Sequence, residues 1–212
     1  MRGGAIAIAA AVVAASAAAW AFTPLNPANF SAAAQVAPAS APAAHDRLFL
    51  TKAQLDQAIA NGTLDRPVES LLAVQAPLHF GDYSWNDKGV PAGPTWLRID
   101  LRAQLISVFR AGYEIGTAVI VYGGDNKQTP PGKLHILAKD LDHHSSLYDA
   151  PMPYTLRLTD DGVSIHASNV RWGAATHGCI GVPLPFAERL FNATRVGDEV
   201  VVVGSPRRPA TS

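Results

Sequence analysis

The 212-residue chain has a single cysteine, Cys179, so an internal disulfide is excluded. Charge is scarce as well: 17 Lys and Arg balance 17 Asp and Glu, and charged residues make up 16% of the chain. Binding to nucleic acid relies on a basic stripe or patch, and this balance leaves no electrostatic footprint for such a partner. There is no internal repeat, and the short Cys/His pair spacing of a structural zinc module is missing. Apolar residues, in contrast, reach 48%, enough for a core. Beyond the N-terminus, the length fits one compact domain of about 100–150 residues with a small extension.

The first residues, "MRGGAIAIAAAVVAASAAAWAF", place Arg2 ahead of an uncharged Ala/Ile/Val run from Ala5 to Phe22. A positive residue, an apolar stretch and small residues beyond it make residues 1–22 an export segment, with Ala19-Trp20-Ala21 or Ala32-Ala33-Ala34 as cleavage sites. The run also approaches the shortest bilayer-spanning length, about 17 residues, so a retained anchor and membrane tether is the second form of the same expectation. Either form puts the remainder in the periplasm or cell envelope. A buried Ala-rich helix is the structural alternative. Residues 23–45 follow as a Pro/Ala/Ser-rich disordered linker.

Residues 46–93 read as a helical N-terminal extension. Thr51 is placed to cap a helix in which Leu55, Ala58 and Ile59 recur at helical spacing until Gly62. From Trp96 the period changes to two: Leu97, Ile99 and Leu101 alternate with Arg98, Asp100 and Arg102, and Leu105 to Phe109 resume after a turn. "EIGTAVIVYGG", "GKLHILAKD", "YTLRLTDDGVSIHA" and "DEVVVVG" continue the strands, while "PFAERLFNAT" (185–194) reads as one helix with Phe186, Leu190 and Phe191 on a single side. The expected fold of 94–204 is therefore mainly β, a sandwich or half-open barrel with one packed helix. Residues 205–212 read as a disordered tail.

An unpaired cysteine in an oxidising compartment is either a reactive thiol or a small buried hydrophobe. Its surroundings favour the first. His166 ends the strand "VSIH", and Cys179 follows thirteen residues later after a Gly/Ala-rich loop able to fold back towards it. A thiol and an imidazole brought together supply a nucleophile and its base. Ala174, Ala175 and Gly178 permit close approach of a substrate, and the amides of His177, Gly178 and Cys179 can face a developing oxyanion. A zinc site built from His143, His144, His166, His177 and Cys179 is the other chemical reading; it lacks the ligand spacing. No metal or other cofactor is expected.

"THGC" at 176–179, downstream of a strand-ending histidine, resembles the signature of the L,D-transpeptidase catalytic domain, the cysteine enzymes that cross-link bacterial peptidoglycan. "IDLRAQLISVFRAG", "QTPPGK" and "MPYTLRLTDDGVSIHAS" are similar to further segments of that domain, and the likeness spans about Pro94 to Val203. The resemblance implies that Cys179 attacks the bond between the third and fourth residues of a donor stem peptide. It implies too that His166 is the base, that the Ala167 carbonyl orients the His166 ring, and that His177 lines the site. Tyr154, His144 and Thr176 are the matching substrate-binding positions, peptidoglycan stems the partner and carbapenem β-lactams the expected inhibitors.

Two departures stand out. The His166–Cys179 loop is slightly short, and Gly181 occupies a position where the family usually has arginine. Either apolar packing of Ile180, Val182 and Pro183 replaces that arginine, or the substrate lacks the charge it would meet. Around "LDHHSSLYDAPMPY" the sequence reads as a polar loop containing His143, His144 and Tyr148. The aromatic run at 80–96 reads as a core anchor, with a sugar-stacking surface as the alternative. The leading expectation is a transpeptidase serving cell-wall organisation and cell shape. A carboxypeptidase or amidase on the same scaffold differs from it only in the acyl acceptor. A non-catalytic wall-binding module would not need the thiol.

Overall fold

The computed structural model describes residues 46–124, 127–146 and 149–204; the expectations for residues 1–45, Tyr148 and 205–212 lie outside them. Residues 46–93 contain strand β1 (Arg47–Leu48), helix α1 (Lys52–Ala60), and strands β2 (Leu71–Leu72) and β3 (Tyr83–Trp85). At the start of α1 the Thr51 hydroxyl accepts the Gln54 amide at 3.3 Å while the Gln54 side chain accepts the Thr51 amide at 2.9 Å, a reciprocal capping box. This extension is thus only partly helical. Its strands are too short to carry a readable alternation.

Strands β4 (Thr95–Asp100), β5 (Leu105–Arg110) and β6 (Tyr113–Val119) form the meander that the period-two pattern predicts. They are followed by β7 (Gly132–His135), β8 (Ala138–Ser145), β9 (Ala150–Arg157), β10 (Ser164–Ala167), β11 (Ile180–Val182), helix α2 (Leu184–Ala193) and β12 (Glu199–Val203). One six-stranded sheet runs β3-β6-β5-β4-β12-β7 and a four-stranded sheet runs β11-β10-β9-β8. No closed barrel forms among the described residues. The stretch expected as a polar loop is a β8–β9 hairpin, with His143 opposite Met152 and His144 opposite Pro151. It is held by backbone pairing while much of β8 faces solvent, so no apolar alternation marks it.

Leu97, Ile99, Ile106 and Val108 from the larger sheet, Leu156, Ile165 and Ile180 from the smaller, and Phe186 and Leu190 from α2 form one buried cluster. The other face of β4 is covered as well. Arg98 is buried there, donating to the Gly62 carbonyl at 2.9 Å and pairing with Asp100 at 3.1 Å, while Trp96 stacks on Phe109 at 4.2 Å under the Arg66 guanidinium. A charged residue this deep must be paired, and the turn after α1 provides a partner.

Candidate active site

The chain beyond β6 crosses to the smaller sheet and carries the site. Val121 and Gly181 exchange backbone hydrogen bonds of 3.0 and 2.8 Å, the Thr176 amide donates to the Tyr122 carbonyl at 2.9 Å, and the Gly124 amide donates to the Thr176 carbonyl at 3.1 Å. These bonds fix both ends of the turn that presents Cys179. Within it the Thr176 hydroxyl donates to the Cys179 carbonyl at 2.5 Å, and Gly178 takes φ +105°, a region that favours glycine. Buried Thr129, from the "QTPPGK" segment, accepts the Gly123 amide at 3.0 Å and donates to the Gly178 carbonyl at 2.9 Å. Its hydroxyl therefore ties the two loops together directly before the cysteine.

His166 lies in β10, which runs parallel to β11 with His166 opposite Gly181. Its Nδ1 is 2.9 Å from the Ala167 carbonyl oxygen. A carbonyl only accepts, so Nδ1 carries the proton of the neutral ring and Nε2 keeps its lone pair. Burial pushes the imidazole below its ordinary value; the Ala167 bond opposes this and the charge of His143 adds to it. Burial likewise pushes the Cys179 thiol up, against the Ser164 amide hydrogen bond and Lys127, with Asp161 adding to the rise. Both shifts favour an uncharged thiol and imidazole at rest.

His166, Ala167, Thr176, His177 and Cys179 all line one cavity of about 270 Å³, together with Met152, Ser168 and Asn169. The Cys179 Sγ also sits 3.8 Å from the Gly162 carbonyl oxygen. Tyr154 and His144 are not among the residues that line this cavity, although His144 pairs with Pro151, which does. The Tyr154 ring packs edge-on against Phe191 at 5.8 Å, with φ +58°. His144 is exposed with Nε2 3.7 Å from Asp149. The aromatic run at 80–96 divides: Tyr83 and Trp85 meet Phe186, and Phe80 meets Trp172. Among the described residues, no group of three or more His, Cys, Asp or Glu side chains gathers as a metal site. A larger hollow of about 1000 Å³ between Leu72, Phe80, Gln104 and Trp172 contains neither Cys179 nor His166.

Thr129, Lys127 and Asp161 escaped the residue-level reading of the site. For Thr129 the similarity of "QTPPGK" to a family segment was the available signal. Its bond to Gly178 spans 49 positions and no local spacing reveals it.

The two-sheet fold thus places a cysteine and a carbonyl-oriented histidine in one cleft, a pair of groups able to supply a nucleophile and its base. Residues 94–202 match the L,D-transpeptidase catalytic domain (YkuD), and the chain belongs to that family. Among solved structures, an L,D-transpeptidase from Stackebrandtia nassauensis is 24% identical, with 55% of this chain and 58% of that one covered at a TM-score of 0.50. LdtMt1, an L,D-transpeptidase in complex with imipenem, is 25% identical over 51% of this chain and 58% of that one, TM-score 0.48. A mutant L,D-transpeptidase from Enterococcus faecium is 24% identical over 53% and 50%, TM-score 0.47. The chain spans at most 58% of each of these three proteins. No curated protein matches it.

Proposed function

We propose that this protein is an exported L,D-transpeptidase that forms a Cys179 thioester with a donor stem tetrapeptide and passes the acyl group to an amine. In the first step the Cys179 Sγ bonds to the carbonyl carbon between the third and fourth donor residues, and its proton moves to Nε2 of His166. The amides of His177, Gly178 and Cys179 are the groups assigned to the oxyanion. Collapse of the tetrahedral species breaks the C–N bond, and the His166 proton leaves with the terminal D-amino acid. In the second step His166 takes a proton from the acceptor amine as it attacks the thioester, and Cys179 recovers its proton.

The observation that carries this reading is one cleft containing Cys179 and a His166 whose Nδ1 is held by the Ala167 carbonyl, in a chain of this family. The test is to incubate the purified protein with a defined tetrapeptide muropeptide, with and without an acceptor stem, and to read the products by mass. Cross-linked dimer is expected with wild type and none with Cys179→Ser, whose hydroxyl has too high a pKa for this site. Release of the terminal residue without dimer makes the protein a hydrolase, and turnover by Cys179→Ser defeats the nucleophile. A carbapenem adduct on wild type, absent from Cys179→Ala, is the matching inhibitor result.

A further inference from the structure

Three separate loops meet around Cys179. Lys127 runs along Gly178: a Cβ placed on that glycine would lie 3.3–3.4 Å from Cγ, Cδ and Cε of the lysine. The Lys127 ammonium pairs with Asp161 at 3.1 Å, and Asp161 precedes Gly162, whose carbonyl is the 3.8 Å neighbour of the Cys179 sulfur. The Thr159 hydroxyl fixes the other edge of the Asp161 carboxylate at 2.5 Å. One cation and one anion thus flank the cysteine, one beside the residue before it and the other beside the carbonyl its sulfur contacts. Both side chains are partly open to solvent, at 39% and 65% exposure, so their mutual attraction contributes little to stability.

We propose that Lys127 and Asp161 are positioning residues whose opposite charges act with opposite sign on the Cys179 sulfur as it becomes a thiolate, Lys127 stabilising it and Asp161 restraining it. The proposal deepens the assignment of Cys179 as nucleophile and rests on that reading. The electrostatic influences on the thiol run in the same two directions. The other titratable groups lining the cavity that contains the sulfur are His166 from β10 and His177 from the cysteine's own loop, with His143 of β8 acting on His166.

Alkylation of the full-length protein by iodoacetamide measures the thiolate directly, and because Cys179 is the sole cysteine there is no background. In that reaction sulfur bonds to carbon and iodide leaves, independently of any transpeptidation. Failure here is therefore distinguishable from failure of the enzymatic reading. Lys127→Met is expected to lower the rate at neutral pH by roughly threefold to tenfold, as expected for one charge several ångströms away, and to move the pH midpoint up. Lys127→Arg should restore both. Asp161→Asn, which can still accept the Thr159 hydroxyl, should raise the rate and move the midpoint down. High salt should shrink both differences. Displacement of both variants in the same direction, as loss of a merely structural ion pair would give, overturns the proposal; so does an unchanged profile in both.

Discussion

At His166, hydrogen bonding and burial pull in different directions, and burial dominates: the imidazole is held below its ordinary value despite the Ala167 bond. The folded protein then binds fewer protons than the unfolded chain in the window between its value and the free value of about 6.5. Stability from this residue is present above that window and is lost as pH falls through the folded value. The thermal stability of wild type should therefore fall below about pH 6.5 more steeply than that of His166→Asn, whose side-chain amide can still donate to Ala167. Activity should share the sign, because only the neutral ring can take the thiol proton. The acid limb of kcat/KM is expected below the free imidazole value, and a limb above it would show that the resting ring is charged.

At the scale of elements, the β10–β11 pair decides what residue 181 can be. A Cβ on Gly181 would lie 2.6 Å from both the Ser168 Cβ and the Val121 Cγ2, and reciprocal backbone bonds to Val121 stop the strand retreating. A side chain at residue 181 would therefore require Ser168 or Val121 to move. Gly181→Ala should cost about 1–3 kcal/mol, the usual range for overpacking, and lower Tm by roughly 2–4 °C for each. A Ser168→Gly background should recover part of the loss, and an unchanged Tm would show that the strands yield. Elements of this kind were unequally legible. The β4–β5 pair, the Thr51 cap and α2 announced themselves because each is specified by side chains close in sequence. Cys179 and His166 were legible for the same reason, lying in one short stretch. The β8–β9 hairpin, β3 and the Thr129 tether were not, because backbone pairing or contacts far apart along the chain hold them.

The family match begins at residue 94, yet the packing of the whole molecule does not. Strand β3 closes one edge of the larger sheet by pairing with β6, and Tyr83 and Trp85 pack on Phe186 at 6.0 and 5.5 Å. Phe186 is fully buried in the core cluster that also takes in the strands carrying His166 and leading from Cys179. Buried Arg47 fastens the same extension by donating to Ser70, to the Glu114 carbonyl at 2.7 Å and to the Asn86 carbonyl at 2.6 Å. Residues 46–93 therefore complete the catalytic fold. A chain starting at residue 94 would expose Phe186 and an unpaired edge of β6, a combination that promotes aggregation. It should unfold at a clearly lower temperature than the full chain and bind a hydrophobic dye. In the full chain, Trp85→Ala should cost about 3 kcal/mol, near the lower end for a large aromatic because this ring is only half-buried. Equal unfolding temperatures for the shortened and full chains would show that the extension is dispensable, and the two measurements together separate the contribution of this ring from that of the whole segment.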